Sequence, residues 1–416
     1  MMKKNRYILL AVMVALFSLF TASAQTDSLW TVSGKVLDAK SRKAMMSVSV
    51  TDGRVGTVTN EDGEFTLKLT REPSEVIFSC LGYKSVRLSA AACKAQESQR
   101  KPILLQPSTV MLSEVVVEGY EARQILSKAI DKIKVNYPRQ PNLLRGFYRE
   151  TVQKRQRFVA ISEGVVDLYK SGYTKSDYRD GVKILKGRRL LSQRSSDTLG
   201  VKLQGGPVLP ITFDVVKDRD ILLNDAELEH YSIRFKNPEM ADGRMQYVIE
   251  LKPRHYLPYA LFNALFYIDR ESLAFTKVEL HLDMSEPEKV TEMILKKRPV
   301  GLRFTPRELT VIVDYKTDNG VTRLNYIRNV IGFRCDWKRK LFKSNFTIVS
   351  EMVVTECQEN DSIRPIRVRD TFNRTDKFYD KVIYFSDPNF WGKENIIEPT
   401  EDLLKGIDKI RRRLGR

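Results

Sequence analysis

The chain has 416 residues and a formal net charge of +18 at pH 7. That length is enough for two or three domains with cores of their own. Residues 25–119 carry 12 basic and 11 acidic side chains, so the positive excess lies mainly in residues 120–416. Zinc-finger spacing and RNP-like aromatic runs are absent from the sequence. The charge therefore does not indicate nucleic acid, and it favours anionic lipid, glycan or cell-wall surfaces.

The first 24 residues have the layout of a secretory signal peptide. Lys3, Lys4 and Arg6 precede an apolar run over 7–20, and Ala22-Ser23-Ala24 is a small-x-small cleavage site. As a helix the apolar run spans about 21 Å, whereas a bilayer core needs about 30 Å, so we favour cleavage over a membrane anchor. The residue after the cleavage site is not a cysteine. Charged residues interrupt every later apolar run of the sequence. The sequence predicts an exported chain that is soluble or peripheral to a membrane.

Residues 25–119 alternate between short apolar runs and turn residues. The runs lie at 30–39, 46–52, 56–70 and 74–89, and two more, KPILLQP and SEVVVEG, close the segment. Strands this short at this spacing predict a small antiparallel sandwich.

The stretch GTVTNEDGEFTL has the composition of a metal loop, a carboxylate pair or a tight turn. It carries four acidic or amide side chains around one glycine: Asn60, Glu61, Asp62, Glu64 and Gly63. A calcium loop of the EF-hand type needs a bidentate glutamate near its twelfth position, whereas Phe65 here begins an apolar strand face at once. Asp-Gly between alternating runs indicates a hairpin, because glycine adopts positive φ. We expect a turn, with Glu61 and Glu64 as solvated flanks.

Three patterns in this segment resemble the carboxypeptidase-regulatory-like domain. They are Gly34-Lys35-Val36-Leu37-Asp38, the run from Gly56 to Phe65, and Leu81-Gly82-Tyr83. This family is a transthyretin-like, seven-stranded sandwich that also precedes the plug of some TonB-dependent outer-membrane receptors. Ala44 and Met45 stand where the family often has glycine and proline, which weakens one turn. The resemblance implies a non-catalytic module, since in the peptidases the zinc site lies in another domain.

Residues 120–416 begin with an amphipathic helix and continue as long strands. The helix ends at Pro138, and its apolar face is Ala122, Leu126, Ala129, Ile130, Ile133 and Tyr137. Strands are predicted within 144–169, 244–253, 264–284, 307–330 and 345–357, with a hairpin turn at Asp318-Asn319-Gly320. This order is distantly similar to the half-barrel of lipoprotein carriers. That resemblance implies a sheet that curls around a helix and holds an acyl chain.

Three segments fall outside this meander. Residues 175–235, with Gly205-Gly206-Pro207 and the charged stretch VVKDRDILLNDAELEH, indicate an insertion or lid, and 361–390 is typical of a loop-rich connector. After Glu398-Pro399-Thr400 a short amphipathic helix is predicted. Its apolar positions are Leu403, Leu404, Ile407 and Ile410, and its basic end is Arg411, Arg412, Arg413 and Arg416. Contact of that end with an anionic surface is one interpretation, and we favour the other, a solvated helix terminus stabilised by the helix dipole.

The spacing of chemically active residues indicates no catalytic or metal site. His230, His255 and His281 form no HxxxH, HxH or HxxE pattern, and the chain has no GxSxG or Walker-type loop. The four cysteines are Cys80, Cys93, Cys335 and Cys357. They form no CxxC pair. A hairpin turn near Lys340 would place Cys335 opposite about position 345 rather than opposite Cys357, which disfavours a disulfide between these two. We expect the cysteines to be small core residues. Glu163 and Asp167 share a strand face that we expect to be solvent-exposed, although an acidic glycosidase dyad stays open.

The sequence predicts a mainly β protein in three parts. These are a signal peptide (1–24), a seven-stranded antiparallel β-sandwich (25–119), and a larger α+β domain with a long antiparallel sheet, few helices and a C-terminal helix (120–416). We expect an exported, periplasmic or outer-membrane-associated binding protein with no catalytic residues, cofactor or metal. Its basic domain would bind an envelope protein, lipid or glycan and contact an anionic membrane peripherally. The alternatives are an envelope polymer hydrolase with an accessory sandwich, or an outer-membrane β-barrel or TonB-dependent-receptor-related protein.

Overall fold

A computed structural model describes residues 29–108, 119–174, 180–194, 204–254, 257–295, 300–338, 343–359, 362–384, 387 and 389–414. The signal peptide expected at 1–24 and the strand expected in SEVVVEG lie outside these ranges, apart from Gly119. Within the described ranges, no helix combines the length and the apolar character needed to cross a membrane.

Seven short strands form two sheets in the N-terminal domain. They are β1 (Trp30–Asp38), β2 (Ser49–Thr51), β3 (Gly56–Val58), β4 (Glu64–Leu69), β5 (Glu75–Ser79), β6 (Val86–Ser89) and β7 (Ile103–Leu105). The sheet orders are β4-β1-β7 and β3-β2-β5-β6. Both sheets bury their apolar side chains in one cluster, where the rings of Phe65 and Phe78 lie 5.4 Å apart. The expected sandwich is confirmed, except that β7 runs parallel to β1.

The acidic stretch forms a turn, but the predicted hairpin is wrong. β3 pairs with β2 and β4 pairs with β1, so the turn carries the chain from one sheet to the other. Gly63 has φ +76, and a Cβ there would lie 2.5 Å from the Val36 carbonyl oxygen, so only glycine fits. The Asn60 Oδ1 accepts from the backbone N–H groups of Asp62 and Glu64 at 3.0 and 2.8 Å. Alternation identifies strands but not their partners, which is why the pairing was missed.

A short helix, α1 (Ala90–Ser98), lies between β6 and β7 and was not predicted. The Ser89 hydroxyl caps it by accepting from the Ala92 N–H at 3.3 Å. Cys93 is buried on its inner side against the sandwich core.

One large sheet dominates the second domain. Its strands are β8 (Asn142–Lys154), β9 (Arg157–Lys170), β10 (Gly181–Leu191), β11 (Tyr231–Ala241), β12 (Arg244–Pro253), β13 (Phe262–Asp269), β14 (Phe275–Leu282), β15 (Leu302–Asp318), β16 (Val321–Trp337), β17 (Ser344–Gln358) and β18 (Ile383–Tyr384). They follow the order β11-β12-β13-β14-β15-β16-β17-β8-β9-β10-β18, and all neighbours are antiparallel except β10 and β18. The expected long antiparallel sheet is confirmed.

Tight turns with positive φ join the long strands. Asn319 and Gly320 have φ of +48 and +77 between β15 and β16, and Arg155 and Gln156 have +48 and +64 between β8 and β9. Two central residues with positive φ match the twist of a two-residue hairpin. Cys335 pairs in register with Ser344, one residue from the expected position, and all four cysteines are free thiols.

The helices of the second domain are α2 (Gly119–Asn136), α3 (Val208–Ile211), α4 (Asp225–Leu228), α5 (Pro287–Ile294) and α6 (Glu401–Leu414). The predicted apolar face of α2 is buried, with Ile130 only partly so. On α6, Leu403, Ile407 and Ile410 pack on the sheet, but Leu404 is 48% exposed, so its predicted place on the apolar face is wrong.

The prediction of an insertion or lid at 175–235 is wrong in part. Residues 181–191 form β10, a strand of the sheet. The charged stretch is also not one helix, because it divides into a 3₁₀ turn (Arg219–Ile221) and α4. Residues 204–230, which we call the plug segment, pack against the sheet and α2. The connector predicted at 361–390 holds only two 3₁₀ turns and β18 in its described part.

Candidate functional site on the inner face of the large sheet

The large sheet curls around α2. Each strand from β8 to β17 places at least one buried side chain in a single apolar cluster with this helix and the plug segment. Laid flat, ten strands spaced about 4.8 Å apart would span more than 40 Å, whereas a helix is about 10 Å wide. The strands reach one cluster only because the sheet is curved. We call the face toward α2 the inner face and the opposite one the outer face.

A second apolar cluster occupies the other end of the inner face. The rings of Phe304, Phe333 and Phe346 stack with centroids 4.8 and 5.7 Å apart, and Val152 and Ile348 join them. The other eight residues of this cluster come from the same or neighbouring strands and from the end of α5. We call this set the aromatic cluster.

A row of polar residues crosses the inner face between the two apolar clusters. Ser162, Glu150, Ser350 and Asn329 are in register on β9, β8, β17 and β16. Residues directly opposite on neighbouring strands share a face of the sheet, with Cβ atoms about 5 Å apart. All four are buried. We call them the polar row.

Glu150 is a buried carboxylate without a cation beside it in the described residues. The Tyr148 hydroxyl donates to its Oε2 at 3.0 Å, and the Ser350 hydroxyl bonds to Tyr148 in turn. Burial disfavours the ionised form and raises the pKa of Glu150 to about 7. The group is therefore a hydrogen-bond donor below neutral pH and an uncompensated buried charge above it.

Asn329 has no hydrogen-bond partner for either side-chain atom among the described residues. Its Nδ2 and Oδ1 are both enclosed, and the residue is only 2% exposed. An amide left unpaired in this way costs about 1–3 kcal/mol, so native proteins rarely keep one without a purpose. The amide thus keeps an unused donor and an unused acceptor within the described part of the inner face.

At the opposite edge of the inner face, a buried ionic cluster holds the plug segment. The Lys170 Nζ lies 2.6 Å from Asp214 Oδ2, and both side chains are buried. The hydroxyls of Tyr173 and Tyr315 donate to the same carboxylate at 2.8 and 2.6 Å. Asp214 belongs to the turn after α3, so these bonds fasten that turn to β9 and β15.

The charges in this cluster compensate one another. Burial opposes the charge on Lys170, but the carboxylates of Asp214 and Asp180 outweigh it and raise the lysine pKa. Burial raises the pKa of Tyr173 and Tyr315 well above the usual range, and Asp214 adds to the shift. Burial also lowers the pKa of Lys217 to about 8, although its ammonium donates to Ser171 Oγ at 2.9 Å and Gly172 O at 2.8 Å. Every polar group is satisfied, as expected for a structural anchor.

The outer face carries a ladder of alternating charges directly behind the polar row. Arg188, Glu163, Arg149, Glu351 and Arg328 are in register on β10, β9, β8, β17 and β16. The Glu163 carboxylate accepts from Arg149 Nε at 2.8 Å and from Arg188 Nε at 2.9 Å. The prediction that Glu163 faces solvent is wrong, because its side chain is 1% exposed. We call this set the charge ladder.

Asp167 lies on the same outer face, two side chains further along β9. It pairs with Arg145, whose Nε and second guanidinium nitrogen lie 3.0 and 3.4 Å from the two carboxylate oxygens. This pair is only partly exposed, so the solvated position expected for Asp167 is also wrong. Sequence alternation places both carboxylates on one face correctly, but it cannot show that another domain covers that face.

The N-terminal domain covers the outer face through its acidic turn. Glu61 pairs with Arg328 and extends the charge ladder by one carboxylate. The Asp62 Oδ2 accepts from the Glu401 N–H at 2.8 Å and so caps the first turn of α6. Glu61 forms this interdomain contact while its side chain stays 61% exposed, which agrees with the expected solvated flank. Glu64 pairs with Lys35 at 3.8 Å.

Residues 389–400 join the two domains above the charge ladder. The Asn395 amide exchanges two 2.8 Å hydrogen bonds with the Lys68 backbone at the edge of β4. The Thr57 hydroxyl donates to the Ile396 carbonyl at 2.8 Å, and Arg149 donates to the Ile397 carbonyl at 2.7 Å. The outer face therefore builds the interface between the domains.

The histidines stay dispersed, in agreement with their spacing. His281 is exposed on β14 beside Thr310, His230 follows α4, and His255 lies outside the described residues. Across the described ranges, no three His, Cys, Asp or Glu side chains are grouped so as to hold a metal ion.

Sequence reasoning did not select the polar row, although a signal exists. Ser350 interrupts the apolar alternation of Phe346, Ile348 and Met352, and Asn329 interrupts that of Ile327, Ile331 and Phe333. A polar residue at an inward position of a strand is informative only when the partner strand carries one opposite, and the pairing came from the fold.

A family model described as the CarboxypepD_reg-like domain matches residues 32–117. The first domain resembles this family in sequence as well as in fold. A search of curated proteins returns no match for the chain. The family match confirms the resemblance that the local patterns in residues 34–83 indicated.

Solved structures match the chain at low similarity. A domain from Vibrio parahaemolyticus named for outer membrane lipoprotein sorting is 11% identical, over 59% of this chain and 95% of that one, with a TM-score of 0.27. A DUF1329 family protein from Desulfovibrio piger is 10% identical, over 58% of this chain and 95% of that one, with a TM-score of 0.25. Lipovitellin is 10% identical, over 58% of this chain and 28% of that one, with a TM-score of 0.26. At these TM-scores the matches carry no argument about this chain.

Proposed function

We propose that the chain is a non-catalytic binding protein of the cell envelope that holds an amphiphilic lipid on the inner face of its large sheet. The observation that carries the proposal is the unpaired amide of Asn329, buried in the polar row between two apolar clusters, with Ser350 between it and Glu150. A ligand with an apolar chain and one uncharged polar group complements this arrangement. The signal peptide expected at 1–24 supports an envelope location.

The chemistry of the inner face favours lipid over glycan. On both sides of the polar row the side chains are aliphatic or aromatic, so an acyl chain finds apolar contact in either direction. A glycan presents hydroxyl groups along its whole length, and the polar row offers partners at one level only. Protonated Glu150 donates, and the Asn329 amide both donates and accepts.

Paired carboxylates support binding rather than hydrolysis. Glu163 and Glu351 converge on Arg149, and Asp180 and Asp214 converge on Lys170. In each pair a buried cation neutralises the carboxylates that a glycosidase needs as acid and base. The sandwich then serves as the domain that closes the outer face and presents its remaining surface to an envelope partner.

Native mass spectrometry of the full chain, purified from the producing cell's envelope fraction without detergent, tests the proposal. We expect a bound lipid on the wild-type chain and its loss in Asn329→Leu, which removes the amide while keeping the volume similar. Asn345→Leu makes the same change at an exposed position of β17 and is the matched control. A wild-type chain without lipid, or equal lipid on both variants, contradicts the proposal.

A further inference from the structure

Strand ends converge at the edge of the sheet next to the aromatic cluster. Four strand ends meet there: the turn between β8 and β9, the start of β15, the end of β16 and the start of β17. Their residues are in register, since Phe346 pairs with Lys154, Ser344 with Cys335 and Leu302 with Trp337. The cations of these ends are Lys154, Arg155, Arg157, Arg303, Lys338 and Lys343. The described acidic residue among them is Asp336, 3.6 Å from Lys343.

The last turns of α6 add cations at the same edge. Ile407 and Ile410 pack on Ile161 of β9 and Leu190 of β10, and Gly406 lies against Phe158. Because of this packing, α6 lies along β9 and extends toward the turn at Arg155. The cations of its final turns are Lys409, Arg411, Arg412 and Arg413. We call these four and the six at the strand ends the basic rim.

The opposite end of the sheet differs in charge. Its turns carry acidic residues such as Asp242, Asp269 and Asp318 beside Arg244 and Arg270. The Arg244 guanidinium lies 3.5 Å from Asp269, so charges of both signs meet there. Basic residues thus outnumber acidic ones at the edge that borders the aromatic cluster, whereas the opposite end is mixed.

We infer that the basic rim docks the protein on an anionic membrane surface, with the aromatic cluster facing the bilayer. Basic residues near an anionic bilayer attract it over about a Debye length. Apolar side chains also protrude at this edge. Val300 is fully exposed and Met293 is 47% exposed, next to Ile294 and Leu295 of the aromatic cluster.

The rim is continuous with the proposed binding site. The Lys154 Nζ lies 5.8 Å from the centre of the Phe346 ring, so a rim cation borders the aromatic cluster directly. Beyond this cluster lies the polar row. A lipid that leaves the bilayer at the rim would pass apolar side chains before its polar group reaches Asn329. This route rests on the proposed function, whereas the docking surface rests on the charge distribution alone.

Co-sedimentation with vesicles tests the docking surface with the full mature chain. The vesicles contain phosphatidylglycerol with phosphatidylcholine, or phosphatidylcholine alone, at low and high salt. One triple variant changes the helix part of the rim, Lys409→Gln, Arg412→Gln and Arg413→Gln. A second changes the strand part, Arg303→Gln, Lys338→Gln and Lys343→Gln. The control removes the same charge from the exposed N-terminal domain, Lys40→Gln, Lys43→Gln and Lys101→Gln.

We expect salt-sensitive binding of the wild-type chain to anionic vesicles only. Each rim variant should bind roughly a hundredfold more weakly, since each basic residue near an anionic surface contributes about fivefold. The control should bind as wild type. Equal losses in all three variants, a loss confined to the helix variant, or binding to soluble dextran sulfate but not to vesicles overturns the inference. Lipid retention by mass spectrometry is read separately, so a chain that binds vesicles but carries no lipid refutes the proposed function alone.

Discussion

The polar row and the charge ladder lie on opposite faces of the large sheet and differ in how their buried polar groups are paired, although their residues are neighbours in sequence. Arg149 precedes Glu150 on β8, and Glu351 follows Ser350 on β17. On the outer face, each member of the charge ladder meets an opposite charge on the next strand. On the inner face, the described residues place no cation beside Glu150 and no hydrogen-bond partner on the Asn329 amide.

This difference separates structure from function. A ladder with matched charges beneath a second domain holds an interface together, although the Arg328 Nε lacks a hydrogen-bond partner among the described residues. Unpaired groups cost stability, so keeping them inside an apolar cluster requires a compensating partner. The comparison assigns the outer face to the interface between the domains, and it supports the proposal that the inner face binds a ligand.

The largest expected effect is on the outer face. Glu163→Gln leaves the buried guanidinium groups of Arg149 and Arg188 without their shared counter-charge, which should lower the unfolding free energy by about 3–5 kcal/mol. Urea unfolding followed by circular dichroism measures the loss. Asp167→Asn, which breaks the more exposed pair with Arg145, is the matched control and should cost about 1 kcal/mol or less. Equal losses would remove the distinction between the two carboxylates.

The next effect is a pH dependence carried by Glu150. Its pKa is about 7 in the folded protein against 4.5 for a free side chain, so the folded state binds more protons between these values. Stability should therefore fall as pH rises through this window, by about 3 kcal/mol in total, and stay low above it. Glu150→Gln should flatten that part of the profile and be the more stable protein near pH 8. An unchanged slope in the variant would place the carboxyl in contact with solvent or a cation.

A smaller effect of opposite sign is expected at Asn329. In ligand-free protein, Asn329→Leu should raise the unfolding free energy by about 1–2 kcal/mol, because an unpaired buried amide is replaced by an apolar group. Thermal unfolding of delipidated wild-type and variant chains measures the gain. A loss of comparable size would show that the amide is paired, and the contrast between the two faces would then fail.

The smallest expected effect tests the link between the domains. Asp62→Ala removes the carboxylate that accepts from the Glu401 N–H at the start of α6, and loss of such a cap costs about 1 kcal/mol. Hydrogen exchange at the first turn of α6 should rise while the strands keep their protection. Asp52→Ala, in an exposed turn of the same domain, serves as the control. Faster exchange throughout the sheet would mean that this contact stabilises far more than one helix end.

Much of the architecture follows from local pattern. Period-two alternation predicts the long strands, Asn319-Gly320 predicts the turn between β15 and β16, and the stripe from Ala122 to Tyr137 predicts α2. Local sequence pattern does not predict a strand whose formation depends on pairing with distant parts of the chain. Residues 181–191 hold few alternating apolar positions and yet join the sheet, because β9 and the connector supply their partners.

By itself, the sequence determined the β-rich class, the sandwich resemblance and the basic excess after residue 120, since these depend on composition and on spacing along the chain. The tertiary structure alone decided which face each polar side chain occupies and what lies opposite it. Ser162, Glu150, Ser350 and Asn329 are up to 200 residues apart in the sequence. They meet because β8 pairs with both β9 and β17, and β17 pairs with β16, which no short-range pattern relates. The acidic turn shows the same limit, because Glu61 and Asp62 find their partners in a domain more than 260 residues away.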